Sequence, residues 1–119
     1  SYIPTEAYPA GEMKHGPIAL LDEGSPVVVV ATDGHVFDKV VSNIQEVRAR
    51  GAQVVAVATE GNEEIGQHAD DVLWVPRTPA LLSSVLAVVP LQLFAYGVAR
   101  ARGLNVDQPR NLAKTVTVE

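Results

Sequence analysis

"PVVVVATDGHVFDKVVSNIQEVRARGAQVVAVAT" (residues 26–59) decides the fold. Its two ends are continuous β-branched and small apolar runs, "PVVVVAT" (26–32) and "QVVAVAT" (53–59). Neither run alternates polar with apolar residues, which predicts strands covered on both faces, as in a parallel sheet under helices. The segment between them repeats apolar residues at helical spacing, with Val36, Val40, Ile44 and Val47 on one face. Asp33 stands where an N-cap belongs, and Gly51 follows the basic last turn as a C-terminal stop. Strand, helix and strand at this spacing form a βαβ unit.

Working outward, "DVLWVP" (71–76) predicts a third strand closed by proline, reached through a short polar segment over 60–70 that is a loop or a single helical turn. After it, 80–102 predicts a long helix that Pro90 kinks or divides. Leu91, Phe94, Ala95, Val98 and Ala99 carry the apolar stripe of its second half. Ahead of the first strand, Glu6, Tyr8, Glu12, Lys14 and His15 fall in a short helix expected to stop at Gly16-Pro17. The fold class expected is α/β, a parallel sheet of about three strands flanked by helices. Three strands leave two edges open, so the chain is expected to pair with another copy or to belong to a larger domain.

Composition narrows the partners. The 119 residues carry a net charge of −5 and no cluster of Lys or Arg, which argues against nucleic acid or an anionic membrane. No cysteine is present, which removes disulfides and thiolate chemistry. The apolar stretch 80–99 is long enough to span a bilayer, but Ser83, Ser84, Pro90 and Gln92 interrupt it, and a buried helix is expected instead. The N-terminal residues lack the apolar core of a signal peptide. The chain begins at Ser1 rather than at a methionine, as an excised segment would.

Three places can carry chemistry. In "GEMKHGP" (11–17), His15 ends a turn fixed by Gly-Pro, and a histidine there suits proton transfer to or from a sugar ring oxygen. A capping or surface histidine is the plain alternative. "ATDGHV" (31–36) sits after a strand and before a helix, the ligand position of open α/β sheets, yet it lacks the glycines or hydroxyls of a phosphate cradle and reads as an ordinary turn. Lys114 lies in a polar tail; a solvated lysine is the plain reading, and a desolvated one could attack a carbonyl. His35 and His68 have no partner at metal-ligand spacing, so no metal or cofactor is expected.

Two stretches go further: "AYPAGEMKHGPIALLDEGSPVVVVA" (7–31) and the ending "YGVARARGLNVDQPRNLAKTVTVE" (96–119). Together with "SNIQEVRARGAQVVAVAT" (42–59), they closely resemble the C-terminal end of the glutamine–fructose-6-phosphate aminotransferases (isomerising), the glucosamine-6-phosphate synthases. The resemblance implies that residues 1–103 are the C-terminal portion of a sugar-isomerase (SIS) domain and 104–119 an active-site tail. It implies conversion of fructose 6-phosphate to glucosamine 6-phosphate with ammonia from glutamine, in a cytoplasmic homodimer. His15 would open the sugar ring in the neighbouring subunit's site, Lys114 would form a Schiff base with the keto sugar, and Ala113 would contact the sugar through its backbone. The family's glutaminase domain, first SIS subdomain and isomerase glutamate do not match any part of this chain. The chain is therefore expected to be an inactive C-terminal fragment whose partners are its own upstream domains and a second subunit. A large exposed apolar surface and self-association are expected with it. A different SIS-fold phosphosugar isomerase or deglycase, or a non-catalytic sugar-phosphate-binding SIS module, are the other readings.

Overall fold

The structure, a computed structural model, describes residues 1–108 and 110. Three strands, β1 (Pro26–Ala31), β2 (Gln53–Thr59) and β3 (Asp71–Val75), form one parallel sheet in the order β1-β2-β3. The register sets Val29 opposite Ala56 and Ala56 opposite Val72. Helix α1 (Phe37–Arg48) joins β1 to β2, a single 3-10 turn (Ile65–Gln67) lies between β2 and β3, and α2 (Ala80–Ala101) follows β3.

Each face of the sheet carries one helix. On one side Ile44 and Val47 of α1 close over Ala31, Val54, Ala56 and Ala58, with Met13, Ile18 and Leu21 completing the layer. On the other, Ala87 of α2 packs on Val57 and Val75, flanked by Leu73, Leu86 and Leu91. Only the central strand is covered on both faces. A helix is about 10–12 Å wide and strands are about 4.8 Å apart, so one helix shields roughly two strands. The edges are left open: Val30, on the α2 side of β1, is 46% exposed, and Trp74 of β3 is 47% exposed. The expectation of full two-sided cover thus holds for β2 and fails for β1 and β3.

Local chemistry also moved two element ends. Helix α1 begins at Phe37 with Val36 as its cap and no side chain capping it, and Val41 takes the inward place expected for Val36. Asp33 is unavailable as a cap because it pairs elsewhere. Gly51 does terminate the helix region, at φ +83, where an added Cβ would lie 3.0 Å from Glu23 Cα. The N-terminal helix shrinks to a 3-10 turn, Ala10–His15, followed by a second, Pro17–Leu20. Pro9 is its cap, and a residue preceding proline, here Tyr8, is pushed to extended backbone, which removes Glu6 and Tyr8 from the helix. Asp70 ties three elements: its amide donates to the Val54 carbonyl at 2.8 Å, its carboxylate accepts from the Val54 amide at 2.7 Å, and Arg48 reaches it at 3.2 Å.

Helix α2 runs unbroken through Pro90. It is not the buried helix expected. Of its residues only Ala87 and Ala99 are buried, whereas Leu81 is 89% exposed and Leu82, Val85, Val88, Val89, Leu93, Phe94 and Tyr96 are exposed too. Leu91, Val98 and Ala99 keep three of the five places in the expected stripe, and Phe94 and Ala95 face outward. The helix is long and apolar enough to cross a membrane by length and composition, with 6% of its apolar window buried. Periodicity gave a helix, but three short strands offer it too narrow a surface to cover its whole circumference.

Candidate functional site

The C-terminal ends of the strands meet in a cavity of about 290 Å³ lined by Thr32, Asp33, Gly34, Thr59, Arg77, Thr78 and Ser83 among others. This is the position where open α/β sheets place ligands. Its centre is Asp33. The Asp33 amide donates to Thr59 Oγ1 at 2.9 Å, Asn62 Nδ2 donates to Asp33 Oδ1 at 2.8 Å, and Arg77 Nη2 lies 2.7 Å from Asp33 Oδ2. Asn62 in turn accepts from the Ile65 amide at 3.2 Å. One carboxylate therefore fastens the loops after β1, β2 and β3. Both its oxygens are engaged and its charge is matched by Arg77, and Ser83 donates to its own helix at Ala80 O, 2.7 Å away. Among the described residues no nucleophile and base stand paired in the cavity, and the contacts present make a lock between loops.

Thr59 Oγ1 is the acceptor that holds this lock to the core, since Thr59 is 5% exposed. Thr59→Val keeps the shape and orphans the Asp33 amide. The expected loss is about 1–3 kcal/mol of stability, read as a lower urea midpoint at unchanged slope. An unchanged midpoint would show that the hydroxyl holds nothing.

His15 lies on a different surface. The turn that carries it, Ala10–His15, is held down by Met13 before it and by Ile18 after it, both packed against the α1-side core. Glu12 N–H donates to Pro9 O at 2.8 Å and Ala19 N–H to Gly16 O at 2.9 Å. His15 itself is exposed and makes no hydrogen bond or ion pair among the described residues. A pinned turn thus offers a free imidazole to solvent. His15 does not line the Asp33 cavity. Among the described residues no three metal-ligating side chains converge. His68 Nδ1 faces Gln45 Nε2 at 3.5 Å, and His35 is exposed.

The C-terminal segment leaves α2 through a Schellman turn: Gly103, at φ +68, donates to Arg100 O at 2.9 Å and Leu104 to Ala99 O at 3.0 Å. Asn105 Oδ1 then accepts from the amides of Asp107 and Gln108, both at 3.0 Å. At Arg110 the segment meets the N-terminus. The Arg110 amide donates to the Tyr2 hydroxyl at 2.6 Å, and its guanidinium carbon lies 4.4 Å from the centre of the Tyr2 ring. Arg102 donates to Ser1 O at 2.7 Å. These contacts join residues about a hundred positions apart, and no local signal announced them. Ala113 and Lys114 lie outside the described residues.

With this geometry in hand, likeness to known proteins becomes informative. The SIS domain model matches residues 1–102. The glutamine–fructose-6-phosphate aminotransferase (isomerizing) of Thermus thermophilus is 65% identical over all 119 residues, which span 20% of that protein. The protein of the same name from Chlorobaculum tepidum is 56% identical over 119 residues, 19% of its length. The chain thus spans about a fifth of the length of these curated relatives. Among solved structures, the C-terminal domain of glucosamine-fructose-6-phosphate aminotransferase from Francisella tularensis superposes with a TM-score of 0.80. It is 38% identical and covers 91% of this chain and 30% of its own.

Proposed function

The chain belongs to the SIS domain family, and from that premise we propose that it is the C-terminal part of an enzyme making glucosamine 6-phosphate from fructose 6-phosphate and glutamine. The observation that carries this reading is the 65% identity maintained over the whole chain to a protein of that name. The sheet and its helices supply a scaffold, and the reacting groups come from the turn at His15 and the tail at Lys114.

In this reading His15 works on the closed sugar. Proton transfer to the ring oxygen and from the anomeric hydroxyl opens the hemiketal and exposes the C2 carbonyl. The Lys114 amine then bonds to C2, and the carbonyl oxygen leaves as water, giving an imine that ammonia can exchange. Ala113 steadies the sugar through its backbone. An exposed histidine on a pinned turn suits a group that reaches into the site of a second subunit. The remainder of the parent polypeptide covers the open apolar side of α2; the Francisella domain is about three times as long as the matched part, since that part is 30% of it. A net charge of −5 and the polar residues within α2 favour this over a nucleic-acid or membrane partner, in the cytoplasm.

The test is the parent enzyme supplied with fructose 6-phosphate and glutamine. Glucosamine 6-phosphate is the expected product, with none from the 119 residues alone. A parent that forms no amino sugar would overturn the reading.

A further inference from the structure

We infer that Met13 is a positioning residue for His15, fastening the turn that presents the imidazole to the sugar ring. The inference rests on the reading of His15 given above and adds a side chain that reading does not use. The turn Ala10–His15 has no fully buried residue. Of its six residues only Ala10 and Met13 are partly shielded, and Met13 alone packs against the core on the α1 side. Pro9 caps the turn without a side-chain bond, and among the described residues no side chain of the turn joins a hydrogen bond or an ion pair. The hydrogen bonds of a 3-10 turn close within the turn and give it no fixed place on the fold. Packing of the Met13 side chain therefore sets where the turn sits against α1.

The geometry of the turn carries this anchoring to the imidazole. A 3-10 turn advances about 120° per residue, so the residue two positions after an inward one points away from the core. Met13 faces the core and His15 stands exposed, as that rotation requires. Any tilt of the turn about the Met13 contact displaces His15 with it. Ile18 packs on the same core beyond Gly16-Pro17, so without the Met13 side chain the turn is held from one end only. An acid-base group must lie within about 3 Å of the proton it moves, and misplacement by about 1 Å costs on the order of a hundredfold in rate. The contact is one of shape, so leucine, which nearly conserves the volume, should replace methionine here.

The experiment uses the full-length parent, the variants Met13→Ala, Met13→Leu and His15→Asn, and two substrates. Fructose 6-phosphate must be ring-opened before its carbonyl can react. 5-Deoxyfructose 6-phosphate lacks the hydroxyl that closes the furanose, and its phosphate blocks the pyranose, so it is always open and has no use for His15. With fructose 6-phosphate, kcat of Met13→Ala is expected to fall on the order of tenfold, part of the cost of a 1 Å displacement. KM stays within about twofold, which separates positioning from binding. With the open-chain analogue, Met13→Ala stays within about twofold of wild type, whereas a merely destabilised enzyme would lose both rates alike. Met13→Leu is expected to keep most of the rate on both substrates. If Met13→Ala does not fold, Met13→Val, which trims the same side chain less, carries the comparison. Equal losses on the two substrates overturn the inference, as does an unchanged kcat on fructose 6-phosphate in a folded variant. Met13→Leu as slow as Met13→Ala overturns it too. In each of these cases a His15→Asn enzyme that is slow on fructose 6-phosphate and normal on the analogue leaves the reading of His15 standing. His15→Asn equally slow on both substrates overturns the two together and identifies the failure as that of the His15 reading.

Discussion

Lys114→Arg in the full-length parent is expected to lower glucosamine 6-phosphate formation by a factor on the order of a thousand or more, about 4 kcal/mol of barrier. The substitution keeps charge and approximate length, so loss of an ion pair does not explain such a fall. Arginine cannot shed its proton in a protein and so cannot form the imine, whereas a lysine deprotonates readily once desolvated. KM for fructose 6-phosphate should move far less than kcat, because the amine's bond to C2 exists only after binding. Glutamine hydrolysis by the parent should persist, since the proposed function assigns that chemistry to another part of the polypeptide. A Lys114→Arg enzyme with near-normal kcat would remove the imine from the account.

His15→Asn comes second, with an expected loss of about 10²–10⁴-fold, the range for one positioned acid-base group. Asparagine matches one face of the imidazole but cannot exchange protons at neutral pH, so slow spontaneous ring opening should limit the variant. A sharper consequence concerns the subunit boundary. His15 stands exposed on its turn, and the account has it serve the neighbouring site. Mixing His15→Asn and Lys114→Arg subunits should then restore activity, because each heterodimer contains one site with both groups intact. Random pairing makes half the dimers mixed, each with one of two sites working, so recovery to about a quarter of the wild-type rate is expected. No recovery would place His15 and Lys114 of one chain in the same site.

The sequence made the βαβ core legible because its signals are local. Two apolar runs, one periodic segment and Gly51 appear within 34 residues, and they form β1, β2, α1 and the turn after α1 in the expected order, although β1 is covered on one face only. What failed depended on distant partners. Asp33 reads as a helix cap, but Asn62 and Arg77 claim its carboxylate, and neither is near it in sequence. Helix α2 reads as buried because periodicity reports an apolar face and not whether anything covers it. His15 drew notice from the stiff turn around it, with a capping or surface histidine as the plain alternative, and it is exposed. The roles expected of Lys114 and Ala113 rest on the resemblance, since a lysine in a polar tail has no distinguishing local pattern, and both lie outside the described residues. Tyr2 and Arg110, 108 residues apart, could not be joined by any reading of the sequence.

The central claim is that this chain carries the lysine that bonds to the sugar. Borohydride reduction of the full-length parent with fructose 6-phosphate, followed by mass mapping of its peptides, tests it directly. The account predicts one reduced sugar phosphate per subunit, on the peptide containing Lys114 and on that residue. A stable adduct on a different lysine, or an active enzyme that traps no sugar, would contradict it.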